Sequence, residues 1–347
     1  MSSARILVVG PSWVGDMVMA QVLFTLLKQA RPDAVIDVLA PDWSRPLLER
    51  MPEVHAALSL PFGHGELRLS ERWAQGRGLL GRYDEAIVLP NSLKSALVPA
   101  FAKIPRRIGW RGEMRYGLLN DLRPLDKARY PLMIERFAAL AFPRDARLPE
   151  RLPWPKLVVR PETVAAALAK HGLDTSQPVL ALCPGAEFGP AKRWPERHYA
   201  EVARHYLAQG WQVWLFGSGK DTPVAEAISA ACAGQCRVLT GKTSLAEAID
   251  LMSLAALVVS NDSGLMHVAA AVGRKLVVPY GSSSPKFTPP LSETVRILQL
   301  GLECSPCFQR ECPLGHLNCL NQLEPARVLA AAGELLAEAS PITVTSR

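Results

Sequence analysis

Short apolar, β-branched runs alternate along the chain with stretches whose apolar residues recur every three or four positions. That alternation predicts parallel strands covered by helices. In the first half, strands are predicted at residues 6–9, 35–39 and 86–89, with helices over 17–28 and 93–102. The second half repeats the plan, with strands at 179–182, 213–216, 257–260 and 276–279 and a well-marked helix over 195–208. In that helix Tyr199, Val202, Ala203, Tyr206 and Leu207 share one face, Pro195 suits a first turn and Gly210 a C-terminal stop.

Pro143, Pro149, Pro153, Pro155 and Pro161 crowd a segment without periodicity, as a linker between domains does. The predicted organisation is an N-terminal domain over 1–155, a second over 156–324, and a C-terminal segment over 325–347. The last carries a helix over 325–338 that packs back across the junction, and a frayed tail from residue 340. The expected fold class is α/β, two Rossmann-like domains facing across a cleft, with ligands at the carboxyl ends of the strands.

Composition agrees with this picture. A chain of 347 residues, 49% of them hydrophobic, can bury two cores, and 20% charged residues lies far from the signature of disorder. No apolar run approaches the ~18 residues of a membrane span, and the first one is too short for a secretory signal, so a cytoplasmic chain is expected. The net charge of +7 points to anionic partners such as phosphorylated metabolites or lipid headgroups. Nucleic acid is not expected, because the basic residues are neither interleaved with aromatics nor placed on a recognition helix.

The first strand runs into Gly10-Pro11-Ser12-Trp13-Val14-Gly15-Asp16 and then a helix. Only two of the three glycines of a dinucleotide fingerprint are present, which argues against a nicotinamide-dependent oxidoreductase. Asp16 and Met17 stand where a P-loop needs Lys and then Ser or Thr. Asp16 is instead a carboxylate at a helix N-terminus, either a general base toward a hydroxyl or a helix cap. In the second half, Ser260-Asn261-Asp262-Ser263-Gly264-Leu265-Met266-His267 reads as a strand end, a tight turn and a helix start. Amides at Ser263, Gly264 and Leu265 would offer an anion site, and Asp262 a cap or a partner for a sugar hydroxyl. His267, one turn in, is either functional or packed.

Two more loops end strands on the same side. Gly185 to Pro195 contains Glu187 and glycines that permit close backbone approach, and Lys192 or Arg193 could neutralise charge on a departing phosphate. In the other, Gly217-Ser218-Gly219-Lys220-Asp221, Asp221 is positioned to meet ribose hydroxyls. In the first half, Arg106, Arg107, Arg111 and Arg115 follow Asn91-Ser92-Leu93-Lys94, and guanidinium forks suit phosphate and carboxylate groups. The alternative is a solvated basic face.

The Gly15-Asp16 turn, Lys192-Arg193-Trp194-Pro195, the 261–267 run, Tyr280-Gly281-Ser282-Ser283-Ser284-Pro285 and Phe287-Thr288-Pro289-Pro290 together resemble the ADP-heptose:lipopolysaccharide heptosyltransferases, most closely the heptosyltransferase II group. The motifs run through most of the chain up to residue 290. The resemblance implies a glycosyltransferase-B architecture, with acceptor on the first domain, ADP-heptose on the second, and inversion at the anomeric carbon without a catalytic metal or other cofactor. It places Asp16 as the base and Lys192, Asp262, Ser263, Gly264 and His267 at the donor. Leu265, Gly185, Glu187, Gly217, Ser218 and Asp221 join the expected donor site from their loops. Gly15, Asn91, Ser92, Lys94, Arg111 and Arg115 are expected at the acceptor, an inner-core lipopolysaccharide carrying one heptose. Peripheral contact with an anionic membrane would follow from the basic face. Heptosyltransferase I, or another nucleotide-sugar transferase of this architecture, is the alternative.

Four of the seven cysteines, Cys304, Cys307, Cys312 and Cys319, fall close together with His316 among them. The first pair has the spacing of zinc ligands, and disulfides are not expected in a reducing compartment, which leaves a structural zinc or free thiols.

Overall fold

A computed structural model describes residues 3–62 and 65–338. The chain divides into two compact units, one reaching to Val158 and including Lys286–Thr288, the other comprising Val159–Pro285 and Pro289 onward.

The first unit is built on six strands, β1 Arg5–Val9, β2 Val35–Ala40, β3 Ala56–Ser59, β4 Glu85–Val88, β5 Arg106–Trp110 and β6 Asp121–Arg123. They lie in the order β3-β2-β1-β4-β5-β6, all parallel. Strands β1, β2 and β4 are buried along nearly their whole length, which is why they read as continuous apolar runs in the sequence. Between β1 and β2 lies the helix Val14–Ala30, whose residues from Met17 to Phe24 are all buried. Its packing draws on nearly its whole circumference, and each fully buried Leu, Val or Phe contributes ~1.5–3 kcal/mol.

The second unit repeats the design with β7 Val179–Cys183, β8 Gln212–Leu215, β9 Arg237–Val238, β10 Leu257–Ser260, β11 Leu276–Pro279 and β12 Val295–Leu298. Its order, β12-β11-β10-β7-β8-β9, is the first sheet's order read from the other edge, again all parallel. In each sheet the order reverses between the first and fourth strands of the unit, where a doubly wound fold leaves a crevice for a ligand. The expected pair of Rossmann-like units is therefore present.

The predicted helix at 195–208 forms over Glu196–Leu207, with Tyr199, Val202, Ala203 and Tyr206 buried as the spacing requires. The stretch predicted as one helix over 93–102 is instead a 3-10 turn, Leu93–Ala96, followed by a short helix, Leu97–Phe101. The C-terminal helix forms over Pro325–Ala337. Val328, Ala331, Ala332 and Leu335 enter the second unit's own core beside Leu180, Val213 and Tyr199. The tail from residue 340 lies outside the described residues. Among the described residues no helix is long and apolar enough to cross a membrane.

Candidate active site

In the second unit, the carboxyl ends of β7 and β10 flank the point of reversal, and the turns that follow them are tied together by one buried amide. Asn261 accepts from the Trp194 backbone N–H at 3.0 Å and the Tyr199 hydroxyl at 2.9 Å, and donates to the Pro184 carbonyl at 2.6 Å. This fixes the 184–194 loop against the start of the helix Gly264–Ala271, and so sets the neighbours of Asn261 in both directions.

Next to it, Asp262 is 5% exposed and its Oδ2 accepts from Lys192 Nζ at 2.6 Å and from the Ser283 hydroxyl. Lys192 also lies over the Phe188 ring, 5.1 Å from its centroid. An ammonium carries three donors, so the contact with Asp262 leaves capacity for an incoming anion. Ser263 is the N-cap of the helix Gly264–Ala271, with extended backbone and no side-chain cap. The helix's initial amides, Ser263 to Met266, therefore lack intrahelical acceptors. A lysine beside an uncapped helix N-terminus is a site for phosphate.

His267 is buried behind this group, and its pKa is lowered to about 4. Burial is the main cause; the Asp262 carboxylate opposes it and the Lys192 charge reinforces it. The ring is thus neutral at physiological pH and adds no charge to the site.

Several residues expected at the donor have partners within their own unit. Asp221 Oδ2 accepts from both the N–H and the hydroxyl of Ser218, and its Oδ1 lies 3.8 Å from Arg193. It is 9% exposed and locks its own turn. Gly185 and Gly217 make room for that carboxyl. A Cβ on Gly185 would stand 2.4 Å from Asp221 Cγ, and one on Gly217 2.9 Å from its Cβ. Glu187 is exposed and paired with Lys220 at 2.6 Å. Ser283 and Phe188, which hold Asp262 and Lys192, carried no role in the sequence reading. Their signal there was only membership of motif-bearing loops.

In the first unit, Gly15 and Asp16 lie in the opening turn of the helix Val14–Ala30. The N-cap is Trp13, and Asp16 is the third residue inside it. It is part exposed at the positive end of the helix dipole, while Gly15 is buried. The loop after β4 carries Asn91, Ser92 and Lys94 and is shaped by Arg115. That guanidinium is 0% exposed and donates to the carbonyls of Pro90 at 2.6 Å, Ser92 at 3.3 Å and Trp110, and to Asn91 Oδ1 at 3.2 Å. Burial lowers its pKa to about 10. Arg115 thus organises the loop and presents no fork to a phosphate, contrary to expectation. Arg111 is exposed. Arg106 is spent on Glu85 and Asp121, and Arg107 on the backbone carbonyls of Leu118 and Ile104.

Comparison with known proteins agrees with this geometry. Residues 72–318 match the model of glycosyltransferase family 9 (heptosyltransferase). The chain is 50% identical over 344 residues to lipopolysaccharide heptosyltransferase 2 of Salmonella typhimurium, covering 96% of this chain and 99% of that protein. It is 48% identical to lipooligosaccharide heptosyltransferase 2 of Haemophilus influenzae, covering 96% and 100%. Among solved structures, the Escherichia coli ADP-heptose lipopolysaccharide heptosyltransferase II superposes with a TM-score of 0.87 at 48% identity, covering 96% of this chain and 98% of that one. The chain belongs to glycosyltransferase family 9, the heptosyltransferases, and is a glycosyltransferase.

Proposed function

We propose that the protein transfers L-glycero-D-manno-heptose from ADP-heptose to the first heptose of the lipopolysaccharide inner core, as a heptosyltransferase II. The observation that carries the reading is the pairing of Lys192 with Asp262 at the uncapped start of the helix Gly264–Ala271. It lies in a chain about half identical, over nearly its full length, to curated heptosyltransferases 2.

The second unit holds the donor. Its diphosphate takes the amides of Ser263 to Met266 and the Lys192 ammonium, which bear the charge that builds as ADP departs. The first unit supplies the base. Asp16 accepts the proton of an acceptor hydroxyl as that oxygen bonds to the anomeric carbon, the bond from that carbon to the phosphate oxygen breaks, and ADP leaves with its electron pair. Attack opposite the leaving group inverts the centre. Asn91, Ser92 and Lys94, set by Arg115, and the exposed Arg111 would meet the acceptor. The chemistry calls on no metal or organic cofactor, because Lys192 and the amides supply the counter-charge.

Purified protein given ADP-heptose and acceptors carrying no core heptose or one, with ADP release followed, tests the assignment. Release only with the heptosylated acceptor is expected; release only with the bare acceptor assigns heptosyltransferase I instead. Because the acceptor is a lipid, we also place the enzyme at the cytoplasmic face of the inner membrane, held by its basic charge. Flotation with anionic liposomes should weaken as salt rises, and salt-independent binding would contradict this.

A further inference from the structure

The match to the family model runs on to residue 318, and the chain between β12 and the helix Asn318–Asn321 is ordered without strand or helix. Its backbone is pinned to the donor loops. Phe308 N–H donates to Ser282 O at 2.7 Å, Arg310 Nε to Phe188 O at 2.7 Å, and Ala191 N–H to Arg310 O at 3.0 Å. A Cβ on Gly189 would stand 2.4 Å from that same Arg310 oxygen. Between the segment and the loops lies a small cavity with ~20 Å³ of room, about one water-sized occupant. Cys304, Cys307, Cys312 and Cys319 all line it, together with His316, Ser282 and Ala191.

Two further observations point to an occupant. The Ser282 hydroxyl is buried, lines the cavity, and has no hydrogen-bond partner, a condition that in native proteins signals a missing water or ion. The turn after Cys312 passes through Gly315 at φ +72° and Leu317 at φ +50°. It wraps the N–H groups of Leu314, Gly315, His316 and Leu317 around the Cys312 sulfur. Among the described residues no such group is already drawn together closely enough to hold a metal, so binding requires the thiols to rotate inward.

We propose that Cys304, Cys307, Cys312 and Cys319 together bind one thiolate-preferring metal ion, zinc or iron, in a tetrahedral site that locks the shape of this segment, which its hydrogen bonds hold against the loops bearing Lys192 and Ser283. Four sulfur ligands in a closed set are the mark of a structural zinc or iron centre. Each thiol loses its proton to solvent on ligation. The nest of amides at Cys312 and the Ser282 hydroxyl offset the negative charge left on the cluster.

The test uses the full chain, purified without a polyhistidine tag from cells supplied with zinc and iron salts. Elemental analysis should find about one metal per chain, zinc in colourless protein or iron in coloured protein. In the Cys304→Ser/Cys307→Ser double variant the content should fall ~10-fold or more with the circular dichroism spectrum kept. Should that variant not fold, Co²⁺ added to thiol-reduced, metal-stripped wild-type protein should give thiolate-to-metal charge-transfer absorption. Metal near zero in wild-type protein even after incubation with zinc chloride, an unchanged content in the folded double variant, no cobalt band, or the four cysteines recovered as disulfides would each overturn the proposal.

Discussion

Replacing Asn261 by alanine removes the amide that holds the donor loops in register, and its cost can be worked from the contacts. The Oδ1 atom serves Trp194 N–H and the Tyr199 hydroxyl, and Nδ2 serves Pro184 O. The hydroxyl has an alternative acceptor in Cys183 O at 3.3 Å. Among the described residues the Trp194 N–H and the Pro184 carbonyl have no other partner of this kind, and water is excluded because Asn261 is 0% exposed. Each stranded group costs ~1–3 kcal/mol, so a loss of about 4 kcal/mol is expected. In a unit of this size that lowers the unfolding midpoint by ~8–16 °C. Asn261→Asp should lose at least as much, since it keeps the acceptor but turns a carboxylate oxygen toward Pro184 O. Differential scanning calorimetry of both variants measures the effect. A shift below ~2 °C for Asn261→Ala would show that the loop register does not depend on this side chain.

Lys192→Ala removes the cation beside the helix start, and a lost charge-assisted hydrogen bond of ~1.5–3 kcal/mol should weaken ADP-heptose binding ~10–100-fold by titration calorimetry. An unchanged isotherm would take Lys192 out of the donor site. For His267, whose folded pKa of about 4 lies below the unfolded value, the unfolded chain binds the extra proton. Stability is therefore full above pH ~6.5 and is lost as pH falls toward 4, by up to about 3 kcal/mol. Melting curves from pH 7 to 5 should show that slope, and His267→Gln should flatten it; equal slopes would assign the effect to other groups.

What the sequence made legible follows burial. Strands β10 and β11 fall on the predicted residues because both their faces are covered and every position but Ser260 is apolar. Strands β3, β6, β9 and β12 went unread. They are short edge strands with polar positions, and nothing in their periodicity separates them from loops. Strand β5 was masked by Arg106 and Arg107, whose charges suggested a surface face although Glu85 and Asp121 lie within reach of Arg106. At the site, the motif residues Lys192, Asp262 and Ser263 come together as their types suggested. The roles of Asp221, Arg115 and the glycines did not show, because each depends on a partner chosen by the fold. A buried guanidinium fed by carbonyls reads the same in sequence as one offered to a phosphate, and Gly185 gives no sign that its missing Cβ accommodates Asp221.

The central claim is that Asp16 takes the acceptor's proton while the second unit alone binds the donor. Asp16→Asn keeps the shape and removes the base, so steady-state turnover and ADP-heptose affinity measured on the same preparation separate the two roles. A fall in turnover of ~100-fold or more with donor affinity within ~2-fold of wild type is the predicted result. Turnover within ~3-fold of wild type, or a loss wholly explained by weaker donor binding, would contradict it.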